Sequence, residues 1–137
     1  MAENVSPLRV LVVDDNWYMH HLVQELLENH GWGVQRAQSV EEAIGLYRRE
    51  RPDVVLMDLI LPHRDGLAGI RALRTLDPEA RIIVVTGWLD EAARRQAEAE
   101  GICGFVPKPF TAAALLEAIH SAVAEPAHVA WGLQAAS

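Results

Sequence analysis

The chain has 137 residues, of which 50% are hydrophobic and 23% are charged, and this composition predicts one globular domain rather than a disordered chain. Its 12 basic and 19 acidic residues give a net charge of −7, which argues against binding nucleic acid through phosphates. The single cysteine excludes an internal disulfide, and no apolar run forms a signal peptide or approaches the roughly 20 residues of a membrane helix. We therefore expect a cytoplasmic protein that binds neither membranes nor nucleic acid.

Short runs of Val, Ile and Leu recur along the chain and predict β-strands that are buried on both faces. Three strong runs lie at 9–13, 54–57 and 82–85, and two weaker runs lie at 33–37 and 102–106. Because helical segments separate the runs, the sequence predicts an α/β fold with a doubly wound, five-stranded parallel sheet. The turn after the first strand lacks the glycine pattern of a dinucleotide site, which argues against half of a larger dinucleotide-binding fold.

The first two helices are predicted from apolar periodicity and capping residues. Apolar side chains spaced three and four residues apart lie between Met19 and Leu27, and this helix stops near Gly31. Ser39 and Glu42 form the pattern of a capping box at the start of the second helix.

The last three helices have limits set by their apolar stripes and by proline. The third begins with Leu67 and is closed by Asp77–Pro78, and the fourth spans 89–100. The fifth lies between Thr111 and Pro126.

Polar residues follow four of the five predicted strands. The first strand ends in Asp14 and Asp15, the third in Asp58, the fourth in Thr86, and the fifth runs into Lys108. Ligands bind at this edge of open α/β sheets, and in the flavodoxin-like strand order 2-1-3-4-5 the first and third strands are neighbours. Carboxylates that share a crevice repel each other unless a cation or proton neutralises them, and an all-oxygen site suits Mg²⁺. A carboxylate, a divalent cation, a lysine and a hydroxyl are the groups needed to form an aspartyl phosphate.

Four segments of the chain resemble the receiver domains of two-component response regulators. They are VLVVDDN at 10–16, VLMDLILP at 55–62, VVTG at 84–87 and FVPKPF at 105–110, and the resemblance extends over 8–124. It implies a chemotaxis-regulator-like (βα)5 fold and a phosphorylation switch rather than an enzyme with an external substrate. The implied donor is a histidine kinase or a histidine phosphotransfer protein.

The resemblance also implies roles for individual residues. Asp58 is the implied phosphoacceptor, and Lys108 binds the phosphoryl group. Asp15 and Asp58 ligate Mg²⁺ together with the main-chain carbonyl of Ile60, while Asp14 helps to hold the metal through water.

The implied switch lies beside this site. Thr86 moves toward the phosphoryl group, and the aromatic ring of Phe105 then turns inward. The peptide bond before Pro109 is expected to be cis. A downstream protein partner binds the surface of the fourth helix, fifth strand and fifth helix, and a homodimer is compatible with the resemblance.

Two departures from the family pattern concern lifetime and assembly. Ile60 cannot orient a water by hydrogen bonding and Trp88 can cover the site, so we expect slow self-dephosphorylation, although the small Gly87 leaves an open path. Cys103 and Gly104 stand where an acidic pair commonly supports one type of dimer, which weakens the case for that dimer.

The other aromatic residues are interpreted as structural. We expect His20, His21 and His30 to be surface or half-buried residues of the first helix, away from the crevice end of the sheet or at its edge. Trp17 and Trp32 are expected to be half-buried rather than partner contacts.

Three alternatives compete with a stand-alone receiver. The chain can be a receiver excised from a longer regulator with an output domain, with 8–125 as the domain and 126–137 as a C-terminal tail or the start of a linker. A phosphatase of the haloacid-dehalogenase type needs a second Asp two residues after Asp58, where Ile60 stands. A binding module that works without phosphorylation is disfavoured by the complete set of Asp, Thr and Lys residues.

Overall fold

The computed structural model describes residues 7–61, 66–87 and 91–124. Strands and helices alternate along these residues, in an order that begins with a strand and ends with a helix. The elements are β1 (Arg9–Val13), α1 (Trp17–Glu28), β2 (Gly33–Ala37), α2 (Val40–Glu50), β3 (Val54–Met57), α3 (Gly66–Leu76), β4 (Ile82–Thr86), α4 (Glu91–Ala99), β5 (Gly104–Pro107) and α5 (Ala112–Ala124).

The five strands form one parallel sheet in the order β2-β1-β3-β4-β5, as expected for the flavodoxin-like fold. The pairing brings the carboxyl ends of β1 and β3 side by side, since Val13 lies opposite Met57. β3 and β4 are buried along their whole length, which explains their continuous apolar sequences. The prediction of a doubly wound α/β domain is confirmed.

Two layers of helices cover the sheet. One face packs against α1 and α5 and is called here the α1 face; its core includes Val23, Leu27 and Leu115. The other packs against α2, α3 and α4 and is called the α4 face; its core includes Ile70 and Ala97. None of the described helices is long and apolar enough to cross a membrane.

Several element limits differ by one or two residues from those predicted. β5 begins at Gly104 rather than at 102, because Ile102 is buried but precedes the ladder that starts with the pair Ile83 and Gly104. β4 includes Thr86, and α4 begins at Glu91 and ends at Ala99 within the described residues. The predicted start of the fourth helix at 89 and the predicted end of the fifth at Pro126 lie outside the described residues.

Of the two hydrogen bonds predicted for the capping box at α2, one is formed and the other has a different partner. The Ser39 hydroxyl accepts the amide of Glu42 at 3.1 Å, as expected for the first residue of this motif. The Glu42 carboxylate, however, accepts the amide of Gln38 at 2.8 Å rather than that of Ser39. The Glu42 side chain therefore connects the start of α2 to Gln38, the residue that follows β2, rather than to Ser39.

Candidate functional site

The main-chain pattern of the sheet positions the three central side chains of the site. Asp14, Asp58 and Lys108 each follow directly after a strand, and their amides still donate to carbonyls of the neighbouring strands at 3.0, 3.0 and 2.9 Å. Their backbones are thereby held at fixed heights along the carboxyl edge of the sheet. The side chains project into the crevice at this edge, where ligands bind in open α/β folds.

The acidic side chains meet in a cleft of about 440 Å³. Carboxylate oxygens of Asp14, Asp15 and Asp58 all lie within 4.8 Å of one another. Asp14 and Asp58 are buried, whereas Asp15 is exposed at the mouth. Ile60 and Lys108 also line the cleft, so the structure brings together five of the residues predicted for the site.

Lys108 joins the two buried carboxylates. Its Nζ lies 2.7 Å from Oδ2 of Asp14 and 3.3 Å from Oδ2 of Asp58. The opposite oxygens of the same carboxylates accept main-chain amides, Asp14 from Asn16 at 2.9 Å and Asp58 from Ile60 at 3.1 Å. Each carboxylate is therefore oriented from both sides, with one oxygen turned toward the ammonium group.

Burial and charge act on these groups in opposite directions. Burial raises the pKa of Asp14, and the hydrogen bonds from Lys108 and from the amide of Asn16 oppose this rise. Burial alone lowers the pKa of Lys108, but its hydrogen bond to Asp14 and the charges of Asp14 and Asp58 outweigh that effect and raise it. Lys108 is therefore an ammonium ion at neutral pH, and it faces three carboxylates that it cannot fully neutralise.

The donor set fits Mg²⁺. All three acidic groups offer carboxylate oxygen, the ligand that this hard cation prefers, and one of them is open to solvent. Among the described residues these three form the one group of His, Cys, Asp and Glu side chains close enough to hold a metal. The excess negative charge beside Lys108 also favours a cation.

The start of α3 lies close to the phosphoacceptor candidate Asp58. The amide of Gly66 donates to the carbonyl of Leu59 at 2.8 Å. A Cβ atom at Gly66 would overlap the main-chain carbonyl oxygen of Asp58, so only glycine permits this approach. Glycine at this position therefore lets the start of α3 lie against the main chain of Asp58 and Leu59.

Thr86 and Phe105 lie apart from the cleft. Thr86 is buried at the end of β4 and is not among the described residues that line the cleft. Phe105 is half-buried on β5, and its ring packs on the α4 face. The peptide bond between Lys108 and Pro109 is cis.

Two positions named for phosphoryl lifetime have different outcomes. Ile60 lies at the mouth of the cleft with 51% of its surface exposed. Trp88 lies outside the described residues. Gly87 lines the cleft, so this small residue does border the path to Asp58.

Sequence reasoning missed Asn16 and His20. Asn16 lines the cleft, and its Oδ1 accepts the amide of Tyr18 at 2.9 Å and so caps α1. The interpretation of His20 as a surface or half-buried residue was wrong: it is buried, and the charge of Asp14 acts on its ring. Burial lowers the pKa of His20. The sequence signal for this position is the preceding residue, Met19, which belongs to the apolar stripe of α1 and is buried too.

The two tryptophans within the described residues differ in exposure. Trp32 is half-buried as expected, with its ring centroid 5.3 Å from that of His120. Trp17 was expected to be half-buried but is 70% exposed.

Comparison with protein families gives one consistent result. Residues 10–120 match the family model for the response regulator receiver domain. The chemotaxis protein CheY of Halobacterium salinarum is 33% identical over 111 residues, which are 81% of this chain and 92% of CheY.

Solved structures show the same likeness. A CheY-like response regulator receiver domain protein from Methanospirillum hungatei superposes with a TM-score of 0.84 and 26% identity, over 88% of this chain and 97% of that one. A response regulator from Burkholderia pseudomallei, solved with a phosphorylated aspartic acid, calcium ion and citrate, has a TM-score of 0.76 and 33% identity. The match covers 82% of this chain and 66% of that protein.

Proposed function

The chain belongs to the response regulator receiver domains of two-component systems, and we propose that it is a working phosphoacceptor in which Asp58 receives a phosphoryl group from a phosphohistidine. The donor is a histidine kinase or a histidine phosphotransfer protein. The phosphoryl group then changes the affinity of the domain for a downstream protein.

One observation supports this function above the others. Asp58 Oδ2 lies 3.3 Å from Lys108 Nζ in a cleft that also holds Asp14 and Asp15. Nucleophile, cation and metal-binding oxygens are therefore in one place and need little rearrangement to act on a phosphoryl group. The similar Burkholderia pseudomallei regulator has a phosphorylated aspartic acid and a calcium ion, which supports the same use of this cleft.

The transfer needs only groups that the cleft and the donor supply. A carboxylate oxygen of Asp58 forms a bond to phosphorus as the phosphorus–nitrogen bond of the phosphohistidine breaks. The electron pair of that bond stays on the ring nitrogen, and because the other ring nitrogen of the donor carries a proton, the ring leaves as neutral imidazole. The ammonium group of Lys108 pairs with the phosphoryl oxygens and stabilises the negative charge on them during transfer.

We assign the metal to three side chains and one main-chain group. Asp15 and Asp58 would hold Mg²⁺ together with the carbonyl of Ile60, and Asp14 would assist through water. When bound, Mg²⁺ neutralises negative charge on the transferred group and on the carboxylates around it.

The proposed output uses Thr86, Phe105 and the surface formed by α4, β5 and α5. Thr86 shifts toward the phosphorylated Asp58, Phe105 turns into the space that is released, and the surface of α4, β5 and α5 changes its affinity for a partner. We place the receiver at 8–125 and treat 126–137 as a tail or the start of a linker; the family match over 10–120 supports this division.

Incubation with Mg²⁺ and acetyl phosphate, followed by intact-mass measurement, tests the proposal. We expect a gain of one phosphoryl group that is lost when a chelator removes the metal. Asp58→Asn should gain none, whereas the matched control Asp53→Asn should behave as wild type, because Asp53 bonds the amide of Arg9 at 2.8 Å and is not among the residues lining the cleft.

Two results would refute it. Phosphorylation of Asp58→Asn at the wild-type rate would place the phosphoacceptor elsewhere. No mass gain from acetyl phosphate or from any phosphorylated histidine phosphotransfer protein would favour a binding module that works without phosphorylation.

A further inference from the structure

The helix α4 is attached to the sheet by few side chains, and one of them is Arg94. Ala97 is the one buried residue among the nine of α4. The guanidinium carbon of Arg94 lies 5.5 Å from the centre of the Phe105 ring, within the range of a cation–π contact. Glu98, one turn along the helix, holds Arg94 Nε at 3.2 Å and so fixes the direction of its side chain.

The ring under Arg94 lies on the same face of the sheet as Thr86. Val84 packs in the core of the α4 face, whereas Val85 packs on the α1 face. Because side chains alternate along a strand, Thr86 shares the face of Val84. Phe105 lies opposite Val84 in the ladder and packs on that face too.

We propose that Arg94 is a positioning residue that holds the Phe105 ring at the surface and thereby sets how easily the domain switches. This inference rests on the proposed function, since it concerns the switch that follows phosphorylation of Asp58. The half-buried ring presents one side to the guanidinium group. An inward turn of the ring separates the two groups, so the contact favours the unphosphorylated arrangement.

The neighbouring residue Arg95 provides a matched control. It carries the same charge on the same helix, but its side chain is 77% exposed and its ion-pair partner is Glu91 at 4.0 Å. Arg94, by contrast, has 48% of its side chain exposed and contacts the ring. Any effect of net charge on α4 should appear equally in both variants.

The first experiment measures initial rates of phosphorylation by acetyl phosphate with Mg²⁺. We expect Arg94→Met to be faster than wild type by about two- to fivefold, the population change that an exposed cation–π contact supplies. Arg95→Met should keep the wild-type rate. Arg94→Lys should return most of the way to wild type, because an ammonium group also interacts with the ring. In a Phe105→Leu background, Arg94→Met should have no further effect.

The second experiment needs no phosphorylation. The chain has two Phe residues, so labelling with 4-fluorophenylalanine gives two fluorine resonances, one from Phe105 and one from Phe110. Arg94→Met should shift the Phe105 resonance and leave that of Phe110 in place, while Arg95→Met should shift neither. An unmoved Phe105 resonance overturns the proposal even if the domain is never phosphorylated.

The rate measurements separate the two hypotheses. If wild type gains no phosphoryl group from acetyl phosphate or from any phosphorylated histidine phosphotransfer protein, the proposed function fails, and the fluorine resonances decide the role of Arg94. If wild type is phosphorylated but Arg94→Met matches it, or Arg95→Met accelerates it equally, or the effect persists with Phe105→Leu, then the role of Arg94 is refuted and the function stands.

Discussion

At the scale of single residues, Ile60 combines two properties that bear on phosphoryl lifetime. Its amide donates to Asp58, which ties it to the phosphoacceptor, and its apolar side chain is exposed at the mouth of the cleft. The side chain thus lies beside the approach of water and offers that water no hydrogen bond. Slow hydrolysis is the expected consequence.

We predict that Ile60→Asn accelerates loss of the phosphoryl group by about fivefold, because one hydrogen bond to the attacking water is worth about 1 kcal/mol. The decay of phosphorylated protein, followed by intact mass after removal of donor, measures this rate. Leu22→Asn is the control, since Leu22 is also exposed but is not among the residues lining the cleft. Equal decay of Ile60→Asn and wild type would contradict the prediction.

A second residue-scale feature joins α2 to the end of α3. The buried Tyr47 donates its hydroxyl hydrogen to Asp77 at 2.6 Å. Partial burial of Asp77 raises its pKa, but the hydrogen bonds from Tyr47 and from the amide of Glu79 outweigh this effect and lower the pKa. Burial and the same bond to Asp77 raise the pKa of Tyr47.

We predict that Tyr47→Phe lowers the free energy of unfolding by about 1.5–3 kcal/mol at pH 7, the range for a hydrogen bond to a charged group. Folding lowers the pKa of Asp77 from its ordinary value of 3.8. The ionised carboxylate therefore stabilises the fold fully above about pH 3.8, and this stabilisation is lost as the pH falls through the pKa that Asp77 has in the folded state. In urea denaturation, the difference in free energy of unfolding between wild type and Tyr47→Phe should be constant from pH 7 to pH 5 and should become smaller below about pH 3.8. Tyr18→Phe, at a 59% exposed position, should change little.

At the scale of elements, Arg74 of α3 holds the end of α4. Its guanidinium donates to the main-chain carbonyls of Pro78, Glu100 and Gly101. These include carbonyls that follow the last turn of α4 and have no helical partner. The chain reverses there at Gly101, whose φ of +84° lies in the left-handed region that glycine tolerates.

We predict that Arg74→Met destabilises the domain by about 2 kcal/mol, because three main-chain carbonyls, two of them in half-buried residues, lose a charged donor. Arg71→Met is the matched control on the same helix: its ion pair with Glu100 at 2.8 Å lies on the surface, with 55% of the Arg71 side chain exposed. We expect that variant to lose less than about 1 kcal/mol. Thermal and urea unfolding of both variants measure the difference, and equal losses would show that Arg74 acts only as a surface charge.

Elements with strong local signals were predictable from sequence, and those governed by neighbours were less so. β1 and β3 have continuous apolar runs, and their limits were predicted to the residue. The start of β5 was not, because Ile102 is apolar and buried for a reason other than strand pairing. The turn of the Glu42 carboxylate to Gln38 depends on side-chain geometry that a spacing rule does not contain.

The site divides in the same way. Asp14, Asp58 and Lys108 could be predicted because each directly follows a strand. The position of His20 depends on how α1 rotates against the sheet, and the contact between Arg94 and Phe105 depends on how α4 packs. Those are tertiary relations between elements, and no local pattern along the chain expresses them.

At the scale of the whole molecule, the acidic cleft makes stability depend on cations. Three carboxylates whose oxygens lie within 4.8 Å of one another repel each other in the folded state, and among the described residues Lys108 is the cation paired with two of them. A bound divalent ion removes this repulsion and binds the folded state in preference to the unfolded one.

We predict that Mg²⁺ at 100 times its dissociation constant raises the free energy of unfolding by about 2.7 kcal/mol at constant ionic strength. Asp15→Asn should lose most of this increase, whereas Asp53→Asn should keep it. Chelator should return wild type to its metal-free stability. An undiminished effect of Mg²⁺ in Asp15→Asn would remove Asp15 from the metal site.

The unequal burial of the helices also has a consequence for amide hydrogen exchange. α1 buries Met19, His20, Val23 and Leu27, whereas α4 buries Ala97 alone. Local opening of α4 therefore exposes little apolar surface, and its amides should exchange through a small sub-global event rather than through global unfolding. A rearrangement confined to α4 should therefore leave the packing of α1 in place, so the native fold is kept while the surface of α4 changes.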